Sequence, residues 1–95
     1  MMFVDQILWD QENDLNGNYA KITSSGYTLD DVEDILLNPR NVSSYLYGSS
    51  LSGITSGITS SGKLISVIWE IECGNPLHIY PVMVYPYRGD PGDST

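Results

Sequence analysis

The chain is poor in the residues that most often carry chemistry. Its 95 residues include one cysteine, one histidine and four lysines or arginines, against twelve aspartates or glutamates. With Cys73 alone, no intramolecular disulfide can form, and a cysteine-rich zinc site is excluded. A free thiol suits a reducing compartment, so the expected location is the cytoplasm. No apolar run approaches the ~20 residues that span a bilayer. The N-terminal residues lack the basic and apolar regions of a signal peptide, and no membrane partner is expected. The net charge of −8 argues against a surface that grips nucleic acid throughout, because such binding needs clustered Lys and Arg to displace counterions. A local basic site stays open. There is no Gly-x-Ser-x-Gly elbow and no phosphate loop ending in Lys-Ser/Thr, so serine-hydrolase and nucleotide-hydrolase readings lack support. Nothing points to a cofactor.

What the chain does have is Ser, Thr, Gly and Tyr, the composition of strands joined by turns. Its length fits one domain, expected over residues 1–88, with residues 89–95 as a frayed polar tail. Phe3 to Trp9 reads as a strand. Tyr19 to Ser24 reads as a short helix capped by Asp14 or Asn16, with Leu15, Tyr19 and Ile22 on one side. A second helix is better marked. Thr28 and Asp31 have capping-box spacing, and Leu29, Val32, Ile35 and Leu36 form one apolar stripe. Asn38-Pro39 ends it.

Beyond Pro39 the hydrophobic period becomes that of strands. Val42 to Tyr47 reads as a strand, and the near-repeat Ser52-Gly53-Ile54-Thr55, Ser56-Gly57-Ile58-Thr59 as another, with Ile54 and Ile58 on one face. The strongest strand signal is Leu64 to Glu72, where Ile65, Val67, Trp69 and Ile71 alternate onto one face. His78 to Tyr85 is the last strand, and Pro81 and Pro86 mark an edge or a bulge. Strict alternation puts His78, Tyr80, Val82 and Val84 on one side and Ile79, Pro81, Met83 and Tyr85 on the other. The fold expected is α+β, in the order β-α-α-β-β-β-β. Two short helices would pack on one face of a mostly antiparallel sheet, the second covering the Trp69 face.

Few groupings carry chemistry. Glu12-x-Asp14-x-Asn16-Gly17 resembles the start of a calcium loop, but Thr23 stands where a bidentate Glu is needed, so a solvated loop is the better reading. His78 can move a proton near neutrality, yet no metal ligand is grouped with it, and no metal is expected. Glu70 and Glu72 share a strand face that reads as solvated. Tyr80, Tyr85, Tyr87 and Arg88 form an aromatic and basic cluster that suits stacked RNA bases or a protein interface.

The order of these signals resembles a known family. Ile7-Leu8-Trp9-Asp10, Asn16-Gly17-Asn18 with Ile22, and Ser25-Gly26-Tyr27-Thr28 running into Asp31 to Leu36 are similar to the N-terminal half of BrnT-like toxins of the RelE/ParE superfamily. Gly53 to Thr59, Ser61-Gly62-Lys63, Leu64 to Ile68 and Ile79 to Val82 are similar to the second half. The resemblance implies a RelE/BrnT-like fold and the toxin side of a bacterial type II toxin–antitoxin pair. It implies a ribonuclease acting on messenger RNA, checked by a cognate antitoxin or other small basic protein. On that reading Lys63 or Arg88 would neutralise phosphate, and His78 or Tyr80 would move a proton. The chain departs from the family at two positions. Ser25 stands where the family has histidine, and Met83 where the last strand carries a basic residue. The alternative expectation is a non-catalytic interaction module on the same fold. In it Asp30, Glu33 and Asp34 attract a basic partner, and the tyrosine-rich strand supplies an aromatic contact.

Overall fold

The computed structural model describes residues 2–87. Arg88 and the expected tail lie outside the described residues. The fold is α+β, with two helices packed against a five-stranded mixed sheet. In chain order the elements are β1 (Gln6–Ile7), α1 (Asn18–Ser24), α2 (Leu29–Leu36), β2 (Val42–Tyr45), β3 (Ser52–Ile58), β4 (Leu64–Gly74) and β5 (Leu77–Pro86). The sheet order is β1-β5-β4-β3-β2. Strands β2 to β5 are antiparallel neighbours, whereas β1 lies parallel to β5, so the first and last strands meet.

Local signals explain α2. Thr28 Oγ1 accepts from the Asp31 N–H at 3.0 Å, and the Thr28 N–H donates to Asp31 Oδ2 at 3.1 Å. This reciprocal cap satisfies two backbone donors that the helix leaves free. Val32, Ile35 and Leu36 are buried on one stripe. They meet Ile65, Val67 and Trp69 of β4, with Ile79 and Val84 of β5 and Ile22 of α1 completing the core. Burying each of these aliphatic side chains contributes roughly 1.5–3 kcal/mol, so this layer holds the helices to the sheet.

The near-repeat in β3 has a packing role. Gly53 and Gly57 face the helices, where a Cβ on Gly53 would overlap the Trp69 ring and one on Gly57 the Asn41 amide. Between them Thr55 is buried, and its hydroxyl accepts from Trp69 Nε1 at 2.8 Å.

Several expectations need correction. The first strand is two residues long, not Phe3 to Trp9. Helix α1 begins at Asn18 and its N-cap is Gly17, while Leu15 is 82% exposed and outside the core. Strand β2 stops at Tyr45. The last strand does bulge, because Ile68 pairs with Met83 but Trp69 pairs with Pro81, leaving Val82 without a partner. One extra residue reverses the alternation. Met83 and Tyr85 therefore share a face with His78 and Tyr80, and Val84 joins the core.

Candidate functional site

The four residues with a catalytic expectation are not gathered. Lys63 lies in the β3–β4 turn, next to Leu64 at one end of β4. His78 pairs with Cys73 near the other end. At ~3.3 Å per residue, the run from Leu64 to Cys73 puts roughly 30 Å between them. Tyr80 pairs with Glu70 and shares the His78 end of the sheet. Arg88 lies outside the described residues.

Lys63 is engaged in holding α2. Its Nζ donates to Asp31 Oδ2 at 3.0 Å, joining the turn to the helix cap, and lies 5.9 Å from the centre of the Tyr27 ring. Burial works against the Asp31 charge, but hydrogen bonds from Lys63 and from the Thr28 N–H outweigh it and keep the carboxyl below its ordinary value.

Tyr80 is engaged as well. Its hydroxyl donates to Asp10 Oδ2 in a short hydrogen bond. That bond, together with burial, pushes the phenol up to about 12. A phenol held protonated at neutral pH is a donor, not a base. The same bond and the Asn18 N–H hold Asp10 below the usual carboxylate range.

Asn18 is the centre of this corner, and its role has no signal in the sequence. It is 2% exposed, and its side chain is fully used. Asn18 Oδ1 accepts from the Asp10 N–H at 2.9 Å, and Nδ2 donates to the carbonyls of Leu8 at 3.0 Å and Pro81 at 2.9 Å. Strand β1 pairs with β5 only as far as Ile79. The amide therefore takes over where the strand ends, satisfying a carbonyl that the sheet leaves open.

The acidic side of α2 lies clear of this network. Asp30, Glu33 and Asp34 line an open cleft with Leu37, Asn38 and Ser60. Asp34 Oδ2 accepts from the Ser60 hydroxyl at 2.7 Å and its N–H at 2.9 Å, which keeps the carboxyl ionised below its ordinary value. A larger, mostly apolar groove lies beyond α2, with Phe3, Arg40, Tyr45, Trp69 and Ile71 among its lining residues and no carboxylate. Among the described residues, no three His, Cys, Asp or Glu side chains gather as metal ligands. No helix among them is long and apolar enough to cross a membrane.

Fold and site define a small α+β domain with an acidic helix surface, in which Lys63 and Tyr80 are each bonded to a carboxylate of the framework. Comparisons with protein-family models, with curated proteins and with solved structures each found no match.

Proposed function

We propose that the chain is a non-catalytic protein-interaction module whose α2 surface holds a small basic partner. The observation that carries this reading is the contrast between two sets of side chains. Lys63 and Tyr80 are committed to Asp31 and Asp10, inside the protein's own framework. Asp30 and Glu33 instead present carboxylates along an open cleft, beside Asp34, which Ser60 holds ionised. Clustered carboxylates attract cationic side chains and speed encounter. The resemblance to BrnT-like toxins supplies a class of partner, a small basic antitoxin, and the free thiol of Cys73 suits a cytoplasmic setting.

The test is overexpression and purification of the full chain, scored for growth and for RNA integrity with and without divalent metal. The module reading expects unimpaired growth and intact RNA. Cleavage that is lost in both Lys63→Ala and His78→Ala, with folding retained, would establish the ribonuclease instead.

A further inference from the structure

The helices leave one end of their sheet face open. Helix α2 packs on β3 and β4, and α1 on β5. Beyond them lies a groove of about 880 Å³. Its floor is Trp69 and Ile71 of β4 with Leu77 of β5. Met2 and Phe3, ahead of β1, wall it at one sheet edge, and Tyr45 of β2 walls it at the other. The groove crosses the sheet, a width of roughly 19 Å at ~4.8 Å per strand spacing. That volume over that width gives a cross-section of roughly 45 Å², too narrow for a helix of ~10–12 Å diameter. The volume itself falls among those of small-molecule sites, roughly 300–1,000 Å³. Phe3 and Tyr45 are 67% and 60% exposed, so both walls keep apolar surface that a guest can cover.

At the β2 end, two side chains have donors left over among the described residues. The first is Ser43. Trp69 Nε1 donates to Thr55 Oγ1 at 2.8 Å, and Thr55 is buried. The Thr55 proton has one acceptor among the described residues, Ser43 Oγ at 2.7 Å. A hydroxyl has a single proton to give, so Ser43 is the acceptor in that pair. Its own proton is left for the groove it lines. The second is Arg40. Its backbone N–H donates to Asn38 Oδ1, but its guanidinium makes no ion pair among the described residues. No carboxylate lines the groove. Asp5, near the other end, accepts from the Leu77 N–H at 2.7 Å. On a chain of net charge −8, the one charged side chain lining this groove is a cation.

We propose that the groove binds a fatty carboxylate, with its head on Arg40 and Ser43 and its chain laid across Tyr45, Trp69 and Ile71 toward Leu77. The guanidinium and the hydroxyl supply charge-assisted hydrogen bonds to the carboxylate oxygens. The alkyl chain removes the apolar floor and walls from water. Its slender, extended form suits the narrow cross-section. An extended peptide would lay its own amides over the same floor, at a desolvation cost that an alkyl chain lacks. A basic peptide meets Arg40 and no carboxylate. A nucleic acid meets one cation where its phosphates call for several. The groove shares no lining residue with the α2 cleft, so each can be disabled without the other.

The experiment titrates the full chain with decanoate, below its micelle-forming concentration, and follows ¹⁵N-resolved NMR. The expected result is a saturable set of shifts concentrated at Arg40, Ser43, Tyr45 and Ile71, with the Asp30 and Glu33 amides unmoved. Arg40→Ala, at an exposed site, should weaken binding about tenfold or more, as loss of hydrogen bonds to a charged group does. Lys21→Ala removes a cation outside the groove and should leave binding unchanged. Decanol, with the chain but no charge, should bind several-fold more weakly, and acetate, with the charge but no chain, should not saturate. A decanoate titration without saturable shifts overturns the proposal, as do shifts confined to other surfaces. So does decanol or acetate binding as tightly as decanoate, or an Arg40→Ala chain that binds as well as wild type. An apolar peptide with a free C-terminal carboxylate that displaces decanoate at lower concentration also overturns it.

Discussion

The indole of Trp69 lies against the bare backbone of Gly53. A Cβ at position 53 would run into that ring and approach the Ser44 carbonyl oxygen to 2.7 Å. Trp69 also packs edge-on to Tyr45 at 6.0 Å between ring centres. Glycine is therefore the clearance that lets the largest core side chain settle between β2 and α2. Gly53→Ala is expected to destabilise the fold by about 1–3 kcal/mol, the range for overpacking a filled site. Urea unfolding followed by Trp fluorescence measures it, with a lower midpoint at unchanged slope as the expected outcome.

Asn18→Ala removes the amide that closes the β5 edge. The carbonyls of Leu8 and Pro81 and the N–H of Asp10 would each lose a partner. The expected loss is on the order of 3 kcal/mol, since unsatisfied buried groups bear the full cost of desolvation. Hydrogen exchange should show the increase concentrated in the Leu8 to Asn18 segment and the second half of β5, with the α2 amides less affected.

Stability should fall at both extremes of pH. Asp10, Asp31 and Asp34 all ionise below their ordinary value in the folded chain. Their stabilisation is complete above the unfolded value near pH 4 and is lost as the pH falls through the lower folded values. Tyr80 behaves in the opposite sense, being pushed up from 10.0 to about 12. Its contribution is whole below about pH 10 and is lost as the pH rises toward 12. Tyr80→Phe should flatten the alkaline limb of a stability-versus-pH curve and leave the Asp31 and Asp34 parts of the acid limb in place.

Lys63→Ala tests whether that lysine is structural. Its ion pair is half exposed on the lysine side, with Lys63 at 44% and Asp31 at 6%. A loss of up to about 1 kcal/mol, reduced by added salt, is expected. NMR titration should show the Asp31 carboxyl rising toward its ordinary value. A double-mutant cycle with Asp31→Asn should show coupling, which a lysine pointing to solvent would not give.

What the sequence discloses follows the range of the interaction. The α2 cap and stripe are legible because their partners lie within a few residues of each other, Thr28 with Asp31 and Val32 with Leu36. The β4 alternation is legible because one strand states it alone. Strand β1 is not, because its two residues are fixed by β5, far along the chain. Pro81 marks an edge or a bulge in the last strand, but not which residue is left over; that residue is Val82, and it reverses the face of everything after it. Asn18 looks like a loop residue, although one of its acceptors, Pro81, lies 63 positions away. The glycines of the near-repeat become readable only once Trp69 and Asn41 are seen to lie against them. At the candidate site, residue type suggested what Lys63 and Tyr80 could do, but the carboxylates that occupy them could be identified only in the folded chain.

The central claim is that α2, and not the Lys63, His78 and Tyr80 set, is the working surface. It is tested most directly by ¹⁵N-resolved NMR of the full chain, titrated with a lysine- and arginine-rich peptide and, separately, with an RNA oligonucleotide. The account predicts that the peptide moves the amides of Asp30, Glu33 and Asp34 in a salt-sensitive way. It also predicts that neutralising all three abolishes the effect and that RNA moves little. RNA shifting Lys63, His78 and Tyr80 together, while the peptide leaves α2 unmoved, would contradict it.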